Sequence, residues 1–213
     1  MKPVETDDLI IRFDSKTCIH ARRCVLGLPG VFDPDARPWI KPGDTDPDRI
    51  VKVIEACPSG ALTYSRKSGP GEAAPETNTA RVWENGPLEL HGDLHINGQP
   101  PRTRAVLCRC GRTGNPPFCD NSHRDGFEAT GIPPADEKRD RPAEAPGGPL
   151  TVVAQKDGSL RIEGALEIVA QDGRRVARTE KTFLCRCGHS GSKPFCDGTH
   201  NKIGFQKATG AGD

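Results

Sequence analysis

Apolar and polar residues alternate through the middle and end of this chain, and long apolar runs are missing. Leu88/Leu90 and Leu94/Ile96 alternate around His91-Gly92-Asp93, and Asn97-Gly98 follows as a hairpin signal. The pattern returns in Val152, Leu160/Ile162 and Leu166/Ile168, punctuated by Asp157-Gly158 and Asp172-Gly173. A period of two predicts short β segments in both stretches. Upstream the period changes: Ile50, Val53, Ile54 and Cys57 fall on one helical face, and Asp46-Pro47-Asp48 offers an N-cap with proline at N1.

Two stretches break the patterning. Ser65–Thr79 has no periodic apolar residue, and Pro133–Gly148 is rich in proline, alanine, glycine and charge; both read as linkers, folded onto the body or short in reach. The implied organisation is a unit at 1–65, a linker at 66–79, a unit at 80–132, a linker at 133–148 and a unit at 149–213. Each unit is too small for a hydrophobic core to be comfortable alone, which calls for a staple.

Composition sharpens this. Hydrophobic residues are 34% and aromatics 5% of 213, so the core is thin and nothing approaches a membrane span of roughly 20 apolar residues. The 30 Lys and Arg against 29 Asp and Glu leave no basic field for nucleic acid. The N-terminal Met1-Lys2-Pro3-Val4-Glu5-Thr6-Asp7-Asp8 has no apolar h-region, so a cytoplasmic location is expected. Nine cysteines, an odd number in a reducing compartment, argue for metal binding over disulfides.

The cysteines form three sets: Cys18, Cys24, Cys57; Cys108, Cys110, Cys119; and Cys185, Cys187, Cys196. An offset of 77 maps the second set and His123 onto the third set and His200, together with Leu107-Cys108-Arg109-Cys110-Gly111 onto Leu184-Cys185-Arg186-Cys187-Gly188. Outside the loops, Gly86-Pro87-Leu88 resembles Gly148-Pro149-Leu150, and Ala129-Thr130-Gly131 resembles Ala208-Thr209-Gly210. One small unit has been duplicated. Turns at Gly114-Asn115-Pro116-Pro117 and Gly191-Ser192-Lys193-Pro194 can fold the third cysteine and the histidine back to the C-x-C pair, with Asp120 and Asp197 as caps for a short following helix. Three thiols and one imidazole suit zinc or an iron-sulfur centre, and spacing alone leaves both open.

The pattern C-x-C-x2-[ST]-x3-P-x-C-D-x-[ST]-H, matched by both copies, resembles the mitoNEET-like CDGSH iron-sulfur family, with Asn121 where that name has Gly and Thr199 where it has Ser. The resemblance implies one 2Fe-2S cluster on Cys108, Cys110, Cys119 and His123, and another on Cys185, Cys187, Cys196 and His200. Two motifs in one chain, as in the mitochondrial-matrix member, imply a monomer with an internal pseudo-twofold and exchanged or adjoining strands. An imidazole in place of a thiolate makes each site about one charge less negative, which raises the potential and makes it depend on pH.

Cys18-Ile19-His20-Ala21-Arg22-Arg23-Cys24, with remote Cys57-Pro58-Ser59-Gly60-Ala61-Leu62, resembles a divergent mono-cluster ferredoxin domain over about residues 8–65, with Ala21 where the middle cysteine belongs. Three thiolates suit a 3Fe-4S cluster; a 4Fe-4S cluster with His20, solvent or another ligand at the fourth iron is the alternative.

The expected fold class is therefore α+β: a ferredoxin-like α+β domain followed by a mostly β pseudo-twofold body. The expected function is electron transfer, not enzymatic catalysis, with redox partner proteins. Delivery of acid-labile clusters to apo-acceptor proteins, or iron and redox homeostasis, is the alternative, and a zinc-stapled interaction module is a third reading. His20, His91, His95 and His189 read as surface or turn residues, Trp39 and Trp83 as packing residues, and Arg109 and Arg186 as solvated surface cations.

Overall fold

The computed structural model describes residues 2–141 and 147–207 and is of the α+β class. It forms two compact units, Met1–Ala73 and Ala74–Asp213.

In the first unit, strands β1 (Val4–Glu5), β2 (Leu9–Phe13) and β3 (Leu62–Arg66) make an antiparallel sheet in that order. Helix α1 spans Arg23–Gly27 and α2 spans Pro47–Glu55. The Asp46 carboxylate accepts from the Asp48 N–H at 2.7 Å with Pro47 at the first helical position, as the sequence predicts. Ile50 and Ile54 of α2 are buried with Leu9, Ile11, Phe32, Ile40 and Leu62. Each such side chain contributes about 1.5–3 kcal/mol, so one small core holds the sheet and α2 together. Trp39 packs on Phe13 and Phe32, with ring centroids at 4.7 and 6.0 Å, which makes it part of that core.

The second unit contains a six-stranded sheet: β4 (Thr79–Val82), β5 (Leu88–Ile96), β6 (Arg102–Leu107), β7 (Pro149–Ala154), β8 (Leu160–Val169) and β9 (Arg175–Leu184). Hairpins β5–β6 and β8–β9 are the local pairings that the turn residues predict. The middle of the sheet is exchanged. β4 pairs antiparallel with its own β5 and parallel with β8, while β7 pairs antiparallel with its own β8 and parallel with β5. Because β4 occupies Leu88–His91 of β5 and β7 occupies Asp93–Ile96, the two short strands lie end to end between the long ones.

Asn78 ties that junction. Its buried amide donates to the Gly148 and Ala165 carbonyls, both at 2.9 Å, and accepts from the Asp93 N–H at 3.0 Å. A side chain at Gly92 would meet the Asn78 oxygen at 2.3 Å, so the break in the apolar alternation at His91-Gly92-Asp93 is a bulge within one continuous strand. A single core of leucine, isoleucine, valine and alanine from both repeats runs under the sheet, with Phe118 and Phe195 from the cysteine loops.

The two stretches read as linkers include ordered segments among the described residues. Ser65 and Arg66 complete β3 through pairing with Ile10 and Leu9, and Thr79 opens β4. Backbone ladder bonds, which need no apolar side chain, order these residues. In the second stretch the Asp136 N–H donates to Val176 at 2.8 Å, the Arg141 N–H to Arg178 at 2.7 Å, and Asp140 accepts from the Arg178 N–H at 2.8 Å. This segment therefore lies along the outer edge of β9 as far as Arg141; residues 142–146, and the Ala208-Thr209-Gly210 copy of Ala129-Thr130-Gly131, fall outside the described residues. Among the described residues no helix is long and apolar enough to cross a membrane.

Candidate metal centres

Each repeat delivers its cysteines from the end of a long hairpin. After β6, the Cys108 N–H donates to Pro117 and the Cys119 N–H to Val106, both at 2.9 Å, and Leu107 forms a β-bridge with Phe118. After β9, Cys185 donates to Pro194 and Cys196 to Phe183, both at 2.8 Å, and Leu184 bridges Phe195. The proline turns thus fold the third cysteine beside the first pair, as expected from their residues.

Side chains lock the turns identically. The Thr113 hydroxyl donates to the Phe118 carbonyl and the Ser190 hydroxyl to the Phe195 carbonyl, both at 2.7 Å. Asp120 accepts from the Gly114 N–H at 2.7 Å and the Ser122 N–H at 3.0 Å; Asp197 accepts from Gly191 at 2.8 Å and Thr199 at 3.0 Å. Burial raises Asp120, yet hydrogen bonds from the Ser122 and Thr199 side chains, together with these N–H groups, hold both carboxyls below the usual carboxylate range. The aspartates reach the first turn of the following one-turn helices, Ser122–Arg124 (3-10) and α3 (Thr199–Lys202), one residue earlier than a standard cap. Asn121 and Gly198 between them are left-handed, at φ 73 and 83, a conformation Asn tolerates best after Gly. Asn121 therefore does the backbone work of the glycine in the family pattern.

The four donors of each repeat stand as two pairs. Cys108 and Cys110 sulfurs are 3.6 Å apart, and the Cys119 sulfur is 3.3 Å from His123 Nδ1; the corresponding distances are 3.8 Å for Cys185/Cys187 and 3.3 Å for Cys196/His200 Nδ1. Two thiolates on one tetrahedral metal at about 2.3 Å stand roughly 3.8 Å apart, so each pair suits one metal. Among the described residues no three His, Cys, Asp or Glu side chains are gathered closely enough for a single ion.

Protonation follows the same grouping. The Cys108 thiol is pulled down, chiefly by the hydrogen bond with Cys110, with help from the N–H groups of Thr113, Gly111 and Cys110, while Cys110 is pushed up by the same pairing. Burial raises Cys119 and Cys187 to about 11. Metal binding at these loops must therefore release protons, and acid opposes it. Burial and then Arg124 push the His123 imidazole down, Asp120 opposing, so the ring is neutral and able to ligate at neutral pH.

The arginines between the C-x-C ligands are buried, which overturns their reading as solvated cations. Arg109 is 1% exposed; its guanidinium donates to Gly86, Trp83, Ala129 and Thr130 carbonyls at 2.6–3.2 Å, and it lies over Phe127. Arg186 is 2% exposed, donates to Gly158, Gln155 and Lys207, and lies over Phe205. Each joins the cysteine loop to a hairpin turn and to the segment after the histidine. The other histidines, His20, His91, His95 and His189, are all exposed, as their reading as surface or turn residues expects, and His189 Nδ1 lies 2.8 Å from the Cys187 carbonyl oxygen.

In the first unit Cys18, Cys24 and Cys57 all line one cavity of about 690 Å³, with His20, Arg22, Arg23 and Arg37 on its wall. Cys18 and Cys57 sit in loops and Cys24 in α1, and Cys57 follows α2 directly. Burial raises Cys18 and Cys24, and each is raised further by Cys57, so the three thiols lie within electrostatic reach of one another. His20 and Arg22, beside the cysteines, are left-handed at φ 53 and 60. All nine cysteines are free.

Residues 4–67 match the family described as Divergent 4Fe-4S mono-cluster, and residues 85–124 and 157–201 each match the family described as Iron-binding zinc finger CDGSH type. A stretch of 57 residues, 27% of this chain, is 42% identical to Uncharacterized protein YjdI of Escherichia coli strain K12 and covers 75% of that protein; its counterpart in Escherichia coli O157:H7 matches to the same extent. Taken with the paired donors of the repeats, these matches show that the chain belongs to the CDGSH iron-binding family, as an iron-sulfur protein carrying that domain twice behind a divergent 4Fe-4S mono-cluster domain.

Proposed function

We propose that this protein is a cytoplasmic multi-cluster electron carrier, not an enzyme, exchanging single electrons with redox partner proteins. Each repeat holds a 2Fe-2S cluster through Cys108, Cys110, Cys119 and His123, or Cys185, Cys187, Cys196 and His200, and Cys18, Cys24 and Cys57 hold a 3Fe-4S cluster. The arrangement of each repeat's donors as two metal-sized pairs, 3.3–3.8 Å within a pair, carries this reading. The clusters supply one-electron redox chemistry. The chain's own residues hold and shield them: five of the six repeat cysteines are buried, and Asp120, Thr113 and their counterparts fix the loops. Rigid loops keep reorganisation small when charge arrives.

The match to the Divergent 4Fe-4S mono-cluster family favours a second reading of the first unit, with a fourth iron that takes a ligand other than thiolate. Half-buried His123 and His200 favour delivery of clusters to apo-acceptors as the functional alternative, since an imidazole ligand can be displaced by a proton.

Two assays separate the functions. Fast reversible reduction by a reductase, with no loss of visible absorbance over repeated cycles, is the result expected of a carrier. Slow appearance of cluster on an apo-ferredoxin, blocked by His123→Cys with His200→Cys, would replace the carrier with a delivery factor.

A further inference from the structure

The two C-x-C-G loops of the repeat body close against each other. A Cβ on Gly111 would stand 2.6 Å from the Cys187 carbonyl oxygen, and one on Gly188 would stand 2.6 Å from that of Cys110. Beside each contact lies a buried guanidinium, Arg109 or Arg186. Burial lowers Arg109 to about 10 and lowers Arg186 as well; the foremost opposing charge is Cys185 for Arg109 and Cys108 for Arg186. In both cases it is the first cysteine of the opposite repeat.

A second link runs the same way through hydrogen bonds. The Lys207 carbonyl accepts from Arg186 at 3.3 Å, its N–H donates to Asp157 at 2.7 Å, and its ammonium crosses to the Thr113 carbonyl at 2.9 Å. Thr113 belongs to the first cluster loop. At the matching carbonyl of the second loop, Ser190, the ammonium comes from Lys193 of that same loop at 2.6 Å. The first repeat has Pro116 where the second has Lys193, and the hydrogen bonds make Lys207, not Ala208 as the sequence match had it, the counterpart of Ala129: Ala129 and Lys207 make the same paired bonds, with Asn85 and Asp157 respectively. One repeat supplies its own cation; the other borrows one.

We propose that Arg186 and Lys207 of the second repeat are positioning residues for the cluster of the first, holding its loop and setting its potential across the pseudo-twofold, with Arg109 acting reciprocally on the second cluster. The proposal rests on the reading of both repeats as cluster sites. A fixed positive charge near a cluster favours the reduced form, and a buried one is poorly screened, so removing it lowers the potential.

The test uses the full chain with His200→Cys, which replaces imidazole by thiolate in the second site and separates its redox wave from that of the first. In this background Arg186→Gln, Arg186→Lys and Lys207→Met are titrated by absorbance. Arg186→Gln and Lys207→Met lower the first-site midpoint by the equivalent of a tenfold change in its reduction equilibrium, about 59 mV for one electron. Arg186→Lys recovers most of that shift, and Lys207→Met leaves the second-site wave in place. A first-site wave unmoved in loaded protein, or an Arg186→Gln shift confined to the second site, would overturn the proposal. Should Arg186→Gln fail to fold, Lys207→Met, whose side chain is half-buried, decides alone. Iron and sulfide missing from the unsubstituted chain would instead sink the cluster reading beneath it.

Discussion

At residue scale the proton dependence of the first repeat centres on His123. Its imidazole is lowered by burial and by Arg124, so more acid than the ordinary His value of about 6.5 is needed to protonate it. The neutral, ligating form therefore persists below that value, and acid bleaching of the first cluster should begin there. Arg124→Gln removes a lowering charge, raises the His123 pKa and should move bleaching to higher pH; an unmoved absorbance-against-pH curve would contradict this. Asp120→Ala, which frees the Gly114 and Ser122 N–H groups, should speed cluster loss from the first site roughly tenfold in an absorbance decay. Both histidines and the six repeat cysteines were legible because all eight recur at one offset. Arg109 and Arg186 recur at that offset too, yet a lone arginine between two ligands has no period from which burial can be read. The repetition of Cys-Arg-Cys itself was the available signal.

Elements show a sharper division between local and distant determinants. Hairpins punctuated by Asn97-Gly98, Asp157-Gly158 and Asp172-Gly173, and α2 with its Asp46 cap, follow from residues adjacent in sequence. Exchange of β4 and β7 does not, because β4–β8 and β5–β7 join residues more than 50 positions apart and their register is set by the assembled sheet. Asn78 is the residue that records the exchange. Asn78→Ala leaves two carbonyls and one N–H without their present partner at the buried junction, and should cost about 2–4 kcal/mol in urea unfolding of the full chain. A loss below about 0.5 kcal/mol would mean that the junction is held otherwise. Gly111→Ala tests the loop contact: the residue is left-handed at φ 79 and its added carbon would press on Cys187, so about 1–3 kcal/mol of strain should appear together with faster loss of both clusters.

For the whole molecule, duplication converts two small units with thin cores into one sheet with a shared core. Each half covers the middle of the other, so the two repeats share one larger core to which any bound cluster adds as a staple. The first unit achieves the same with a helix on a three-stranded sheet and leaves its three cysteines around one cavity. Composition and the cysteine count made the need for staples readable. The number of compact bodies was harder to read, because an ordered segment along β9 and an exposed tether share the same polar, proline-rich composition.

The most direct test of the central claim is the iron, zinc and acid-labile sulfide content of anaerobically purified full chain, with an EPR spectrum of the oxidised sample. Two 2Fe-2S clusters and one 3Fe-4S cluster predict about seven irons and eight sulfides per chain, with an oxidised signal from the three-iron centre alone. Zinc without sulfide would contradict the account and make the protein a structural module.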